Sequence, residues 1–165
     1  MSRTIENLKE AFAGESQANR KYLAFARVAD KEGHPQVARL FRAAAEAETI
    51  HALSHLRELG GIRSTKENLE DAVAGETHEF KEMYPKMIEE ARTEEHRKGE
   101  RTFHLANEVE KTHAALYRKA LDTLGTSKET FDYFVCPYCG HTAEREAPEK
   151  CPVCGAKREA FLRIT

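Results

Sequence analysis

Two sets of residues in this sequence have the types and spacing of metal ligands. The first is Cys136-Pro-Tyr-Cys139-Gly followed by Cys151-Pro-Val-Cys154-Gly, with eleven residues between the pairs. Each pair places two thiolates on one tight knuckle, and two knuckles can close a tetrahedral four-sulfur cage. The glycine after each second cysteine permits a sharp turn whose amides aim at sulfur. Zinc in that cage would be structural, whereas iron would carry one electron. The second set is Glu48-x-x-His51 and Glu110-x-x-His113. On a helix, i and i+3 side chains lie on one face a turn apart. Glu15 and Glu76 add one carboxylate from each of two further helices. One Glu from each of two helices, with Glu-x-x-His from each of two others, is the ligand pattern of di-iron and di-manganese carboxylate bundles. Glu79, three residues after Glu76, is a fifth carboxylate within reach. Carboxylates can bridge two cations while the imidazoles cap each one.

Helices are needed to present these groups, and the sequence supplies four. The first is expected from about Thr4 to Lys31, stopping at Gly33. The second opens at Pro35 and runs to about Leu59, before Gly60-Gly61. The third opens at Ser64, where Ser64-x-x-Glu67 reads as a capping box, and carries Pro85, which should kink it. Gly99 should separate it from the fourth, from about Glu100 to Leu124, which ends at Gly125. Each has an apolar stripe interrupted by an acid: Glu15 among Leu8, Phe12 and Tyr22, Glu48 after Phe41, Glu76 after Val73, and Glu110 between Ala106 and Tyr117. An unpaired buried carboxylate costs several kcal/mol. One could be a salt bridge, but one in every helix needs a shared cause, and bound cations provide it.

An internal repeat reinforces this reading. Ala13-Gly14-Glu15-Ser16 matches Ala74-Gly75-Glu76-Thr77 at an offset of 61, and Glu48 to Ala52 matches Glu110 to Ala114 at an offset of 62. Gly14 and Gly75 each cost about 1 kcal/mol inside a helix, which suggests a close neighbour at both. A single Glu-x-x-His is ordinarily solvated surface; two, repeated together with Glu15 and Glu76, are not. Tyr22 and Tyr84 follow Glu15 and Glu76 by about two turns. They are either core or hydrogen-bond partners of the carboxylates. His55, His78, His96 and His104 read as surface or core residues, and Met83 and Met87 as core filler.

Composition excludes several alternatives. The 165 residues are 33% charged and 40% hydrophobic, with a formal net charge of −2. No basic excess favours nucleic acid or an anionic membrane, and no apolar run approaches the ~18 residues of a membrane span. Met1 to Glu10 is polar and does not read as a signal peptide. All four cysteines fall in the last fifth of the sequence, unlike a disulfide scaffold, so a reducing, cytoplasmic setting is expected. The expected fold is an all-α four-helix bundle over residues 1–125, with a small β-rich metal ribbon over 132–165. The ribbon is too short to fold well without its metal, and Tyr133, Phe134, Tyr138 and Phe161 are expected to supply its aromatic core.

The sequence as a whole resembles rubrerythrin. The resemblance rests on Glu15, Glu48-x-x-His51, Glu76-x-x-Glu79 and Glu110-x-x-His113, followed by the paired Cys-Pro-x-Cys-Gly knuckles. It implies a ferritin-like bundle with two non-haem iron ions and a rubredoxin-like iron at Cys136, Cys139, Cys151 and Cys154. It further implies reduction of hydrogen peroxide to water, with electrons from a reduced nicotinamide cofactor through a separate reductase or rubredoxin. In the family, one iron exchanges a Glu ligand for a His on reduction; the matching positions are Glu79 and His51. Glu79, His51, Tyr22 and Tyr84 are therefore the expected catalytic residues. The rivals are a ferroxidase or iron-handling protein, and a dioxygen-using di-iron oxidase with a structural zinc ribbon.

The ferritin-like arrangement makes a demand on the chain. From His51 to Leu59 and from Lys66 to Glu76 a helix advances about 12 and 15 Å. The connection must then span about 27 Å axially, whereas seven extended steps reach about 25 Å. A homodimer in which helices one and two of one chain complete the site of the other is the expected solution.

Overall fold

The computed structural model describes residues 2–165. Its helices are α1 (Arg3–Lys31), α2 (Pro35–Glu58), α3 (Thr65–His78), α4 (Tyr84–Thr93) and α5 (Arg97–Asp122). A π-helical segment, Glu79–Met83, joins α3 to α4, so the two form one rod and the helical rods number four. Strands β1 (Tyr133–Val135), β2 (Thr142–Glu144) and β3 (Leu162–Ile164) make an antiparallel sheet in the order β2-β1-β3. The chain divides into two compact units, Met1–Arg63 and Ser64–Thr165. The helical architecture and the C-terminal sheet agree with the expected fold class. No helix among the described residues is long and apolar enough to cross a membrane.

The first unit is the hairpin of α1 on α2. Its turn follows the local signals: Gly33 takes φ +80° and Pro35 opens α2. The buried hydrophobic side chains of this hairpin are all alanines: Ala26, Ala29, Ala38, Ala45 and Ala52. Small side chains let the helices approach closely but remove little apolar surface from water. Larger apolar groups remain outside, with Leu40 66% and Ile50 59% exposed. The one buried polar side chain is Asn19, whose Nδ2 donates to the Ala45 carbonyl at 2.7 Å and to Thr49 Oγ1 at 2.8 Å.

In the second unit α3 and α4 pack on α5, and β2 also touches α5. The capping box forms as expected: Glu67 N–H donates to Ser64 Oγ, and the Ser64 N–H donates back to the Glu67 carboxylate. The irregularity expected at Pro85 is displaced upstream. Proline has no N–H for the Lys81 carbonyl, and its ring would clash with it. The chain widens over Glu79–Met83, so that the Tyr84 N–H reaches the Glu79 carbonyl, five residues back. Such single wide turns recur at functional sites.

Gly99 is not the helix separator. The break is at Glu95, with φ +57°, and Gly99 lies in the first turn of α5. There its N–H donates to His96 Nδ1 at 3.0 Å, and a Cβ at Gly99 would sit 2.8 Å from that atom. The glycine therefore serves a histidine cap. Gly14 and Gly75 also depart from expectation, since a Cβ at either would meet nothing within 4 Å.

Two like knuckles build the ribbon. Gly140 and Gly155 take φ +86° and +78°, and their N–H groups donate to the carbonyls of Cys136 and Cys151, each at 2.9 Å. The Cys136 and Cys151 N–H groups donate in turn to the carbonyls of His141 and Ala156. The fully buried side chains here are Cys136, Ala147 and Cys151. Tyr133, Phe134 and Phe161 are half-buried, but Tyr138, at the tip of the first knuckle, is 72% exposed and is not core.

Candidate metal centres

The knuckles bring the four cysteines together. Cys136 Sγ lies 3.5 Å from Cys154 Sγ, and Cys139 Sγ lies 3.5 Å from Cys151 Sγ. All four sulfurs fall within 4.8 Å of one another, with no disulfide among them. A tetrahedron with metal–sulfur bonds of about 2.3 Å has sulfur–sulfur edges of about 3.7 Å, so the cage fits one such ion. Burial, together with thiol–thiol hydrogen bonds, holds the Cys139 thiol well above its ordinary value, against the pull of the His141 amide. A cation in the cage would displace the thiol protons.

The helical ligands gather as two triplets, one in each unit. In the first unit Glu15 of α1 meets Glu48 and His51 of α2, with ligand atoms within 4.8 Å. His51 Nδ1 is 2.9 Å from Glu48 Oε2, with the carboxylate 19% and the imidazole 55% exposed. In the second unit Glu76 of α3 meets Glu110 and His113 of α5. His113 Nδ1 lies 2.7 Å from Glu110 Oε2 and 3.9 Å from Glu76 Oε1. These three side chains are 14–27% exposed. No lysine or arginine is ion-paired with either triplet among the described residues, although the chain forms such pairs elsewhere, as between Arg42 and Asp30.

The second unit therefore concentrates negative charge. Burial and the neighbouring Glu110 and Glu79 carboxylates push Glu76 up to about 7, with Glu76 also hydrogen-bonded to Glu110. Glu79, the first residue of the π segment, stands outside the triplet, yet burial and the Glu110 charge raise it as well, opposed by His78 and His113. Burial, followed by the charges of Glu79, Glu110 and Glu76, raises the Tyr84 phenol, which marks its hydroxyl as a neighbour of the same carboxylates. Tyr22 instead stacks with Phe25 and Phe41 at centroid distances of 6.4 and 6.1 Å. His78 lies 3.3 Å from Glu82 on the exposed face, and His96 is the helix cap described above.

A pH dependence follows. The folded chain holds the Glu76 proton up to about pH 7, whereas the unfolded chain releases it near 4.5. Between these values the folded state binds more protons, so stability falls as pH rises. The metal-free protein is expected to show a higher urea midpoint at pH 5 than at pH 7.5. A divalent ion must displace that proton, so loading at pH 6.5 should acidify an unbuffered solution, measurable by indicator dye.

The family model described as Rubrerythrin matches residues 6–121, and that described as Rubrerythrin, rubredoxin-like domain matches residues 134–162. The chain belongs to the rubrerythrin family. Rubrerythrin-2 of Clostridium acetobutylicum is 38% identical over 174 residues, covering 96% of this chain and 95% of the relative. Nigerythrin of Nitratidesulfovibrio vulgaris is 37% identical over 172 residues, covering 96% and 85%. Among solved structures, nigerythrin in its mixed-valent state aligns with a TM-score of 0.60 at 34% identity, covering 99% of this chain and 88% of that one. Its fully reduced, all-ferrous state aligns at 0.61 and 33% identity, with the same coverage. The rubrerythrin-type chain thus combines the Glu and His residues of a di-iron site with a rubredoxin-like four-cysteine site.

What sequence reasoning missed is the tie between the two. His113 Nε2 lies 3.0 Å from Thr142 Oγ1 on β2, within the second unit. Threonine after a knuckle carries no signal of its own. Only its register, two residues beyond Gly140, could have pointed to it.

Proposed function

We propose that this chain is an oxidoreductase that reduces hydrogen peroxide to water, with an iron pair that its helical carboxylates and histidines would hold and with electrons that iron in the four-cysteine cage would supply. The observation that carries the reading is a Glu/His triplet in each unit, together with a four-thiol cage that adjoins the triplet of the second unit. Glu15, Glu48 and His51, with Glu76, Glu79, Glu110 and His113, would hold the pair; Cys136, Cys139, Cys151 and Cys154 would hold the third iron. When bound, the iron pair would supply two electrons and Lewis acidity.

The remaining work falls to the chain's own groups. Reduction of one peroxide consumes two electrons and two protons and yields two waters. Glu79, raised by burial and by Glu110, is the carboxyl beside the triplet best suited to pass a proton locally. The Tyr84 hydroxyl, kept protonated by burial and by the same acids, is a donor for a carboxylate or for the peroxide substrate. His51, half-exposed and hydrogen-bonded among the described residues only to Glu48, is the less restrained of the two imidazoles, in keeping with the exchange with Glu79 that the resemblance implies. The electron donor is a separate reductase or rubredoxin.

The assembly in this reading is a homodimer with exchanged helices. It is supported by an α1–α2 hairpin whose buried hydrophobic side chains are alanines, by exposed Leu40 and Ile50, and by a short connection between Glu58 and Thr65. Two domains, a di-iron bundle over 1–125 and a ribbon over 132–165, then act together in a reducing cytoplasm.

The test is metal analysis and stopped-flow spectroscopy of protein isolated without added metal. Iron in both sites, with rapid reoxidation of the reduced thiolate chromophore by peroxide, is the expected result. Zinc in the cage, or reoxidation by dioxygen but not by peroxide, overturns it.

A further inference from the structure

The two Glu-x-x-His motifs are equivalent in sequence but not in surroundings. His51 makes one hydrogen-bonding contact among the described residues, Nδ1 to Glu48. His113 is held at both nitrogens: Nδ1 faces Glu110 Oε2 at 2.7 Å, and Nε2 faces Thr142 Oγ1 at 3.0 Å. The Thr142 hydroxyl has one proton, and it is directed to the Gly140 carbonyl at 3.1 Å. With its proton so directed, Oγ1 accepts from His113, and the imidazole proton sits on Nε2. The Nδ1 lone pair is left facing a carboxylate, an arrangement that a cation between them would stabilise.

We propose that Thr142 of the cysteine module is a positioning residue for His113, locking the tautomer whose Nδ1 binds metal and so linking metal affinity at Glu76, Glu110 and His113 to the folding of the module. The inference rests on the metal-site reading above. Thr142 is placed by the first knuckle: it pairs with Val135 across β1–β2, follows Gly140 by two residues, and the Cys136 N–H donates to the intervening His141 carbonyl. Gly140 itself rests against Val109 of α5, where an added Cβ would lie 3.7 Å from Cγ1. The Lys119–Glu144 ion pair ties the other end of β2 to α5. A cavity of about 300 Å³ adjoins the bond, walled chiefly by Leu69, Leu116, Tyr117, Ala120 and Tyr133. Without the Thr142 oxygen the Nε2–H faces this mainly apolar wall, and the proton moves to Nδ1, where Glu110 accepts it. The linkage is reciprocal, so metal in the bundle also steadies the module.

The test compares the full-length chain with T142V and T142S, each carrying zinc in the cysteine cage and no metal in the bundle. Cobalt(II) is titrated into the bundle by its visible bands, and histidine tautomers are read from imidazole ¹⁵N shifts before cobalt is added. T142V should weaken cobalt binding about 10- to 100-fold, the range of outer partners of ligating histidines, and should shift His113 but not His51 away from the Nε2–H form. T142S should restore both. Zinc content equal to that of the parent shows that the T142V module is folded. If a folded T142V keeps the parent affinity and tautomer, the proposal fails and the metal site stands. If the parent binds no cobalt in the bundle, the metal reading fails and the proposal with it.

Discussion

Exchanging Cys136 for serine is expected to abolish the iron-thiolate chromophore and to stop reductase-driven turnover. Cys136 is 1% exposed, and its sulfur lies 3.5 Å from that of Cys154. The ribbon has three-residue strands, and its fully buried side chains are Cys136, Ala147 and Cys151. So small a core cannot offset the entropy of ordering the segment, and metal binding, worth ~10–16 kcal/mol in small zinc modules, is its folding energy. Losing a direct ligand should cost more than the ~10–100-fold typical of an outer partner. Turnover with a reductase should therefore fall at least about a hundredfold. Iron-saturated bundle, reduced chemically beforehand, should still consume one round of peroxide in stopped flow. Full steady-state turnover by C136S would remove the ribbon from the electron route.

Glu110→Ala should have a comparable effect through the other centre. Glu110 touches His113 at 2.7 Å and contributes to the raised values of Glu76, Glu79 and Tyr84. Its loss should empty the iron pair, cut peroxidase activity at least about a hundredfold, and return Glu76 toward the ordinary carboxylate range. Glu48→Ala should do the same from the first unit. Mixing the two inactive proteins under subunit exchange distinguishes the assemblies. With exchanged helices, each mixed dimer regains one site whose ligands are all intact. Random reassociation then restores about a quarter of the parental activity. With each site built from one chain, no site is whole and the mixture stays inactive.

Much of this architecture could be read before any coordinates, because its signals are local. Gly33 with Pro35 and the Ser64–Glu67 box act on the backbone within a turn of themselves, and the helices begin and end beside them. The metal triplets were legible because i, i+3 spacing is a property of any α-helix. Where geometry departed from a plain helix, the reading slipped. Pro85 announced an irregularity without saying that the chain would widen ahead of it. Gly99 resembled a stop because its dependence on His96 is a side-chain contact that composition does not reveal. Tyr138 was counted as core by its type, although the knuckle turns it outward. The Thr142–His113 bond joins residues 29 positions apart through tertiary docking. No periodicity encodes such a contact.

The wide turn at Glu79–Met83 also bears on how such a site could arise. An α-helix turns about 100° per residue, so one extra residue in a turn rotates everything after it by that angle. Tyr84, Met87 and Ala91 owe their present bearing to that surplus residue. Wound as a plain α-helix, the same residues would carry the phenol off the acids.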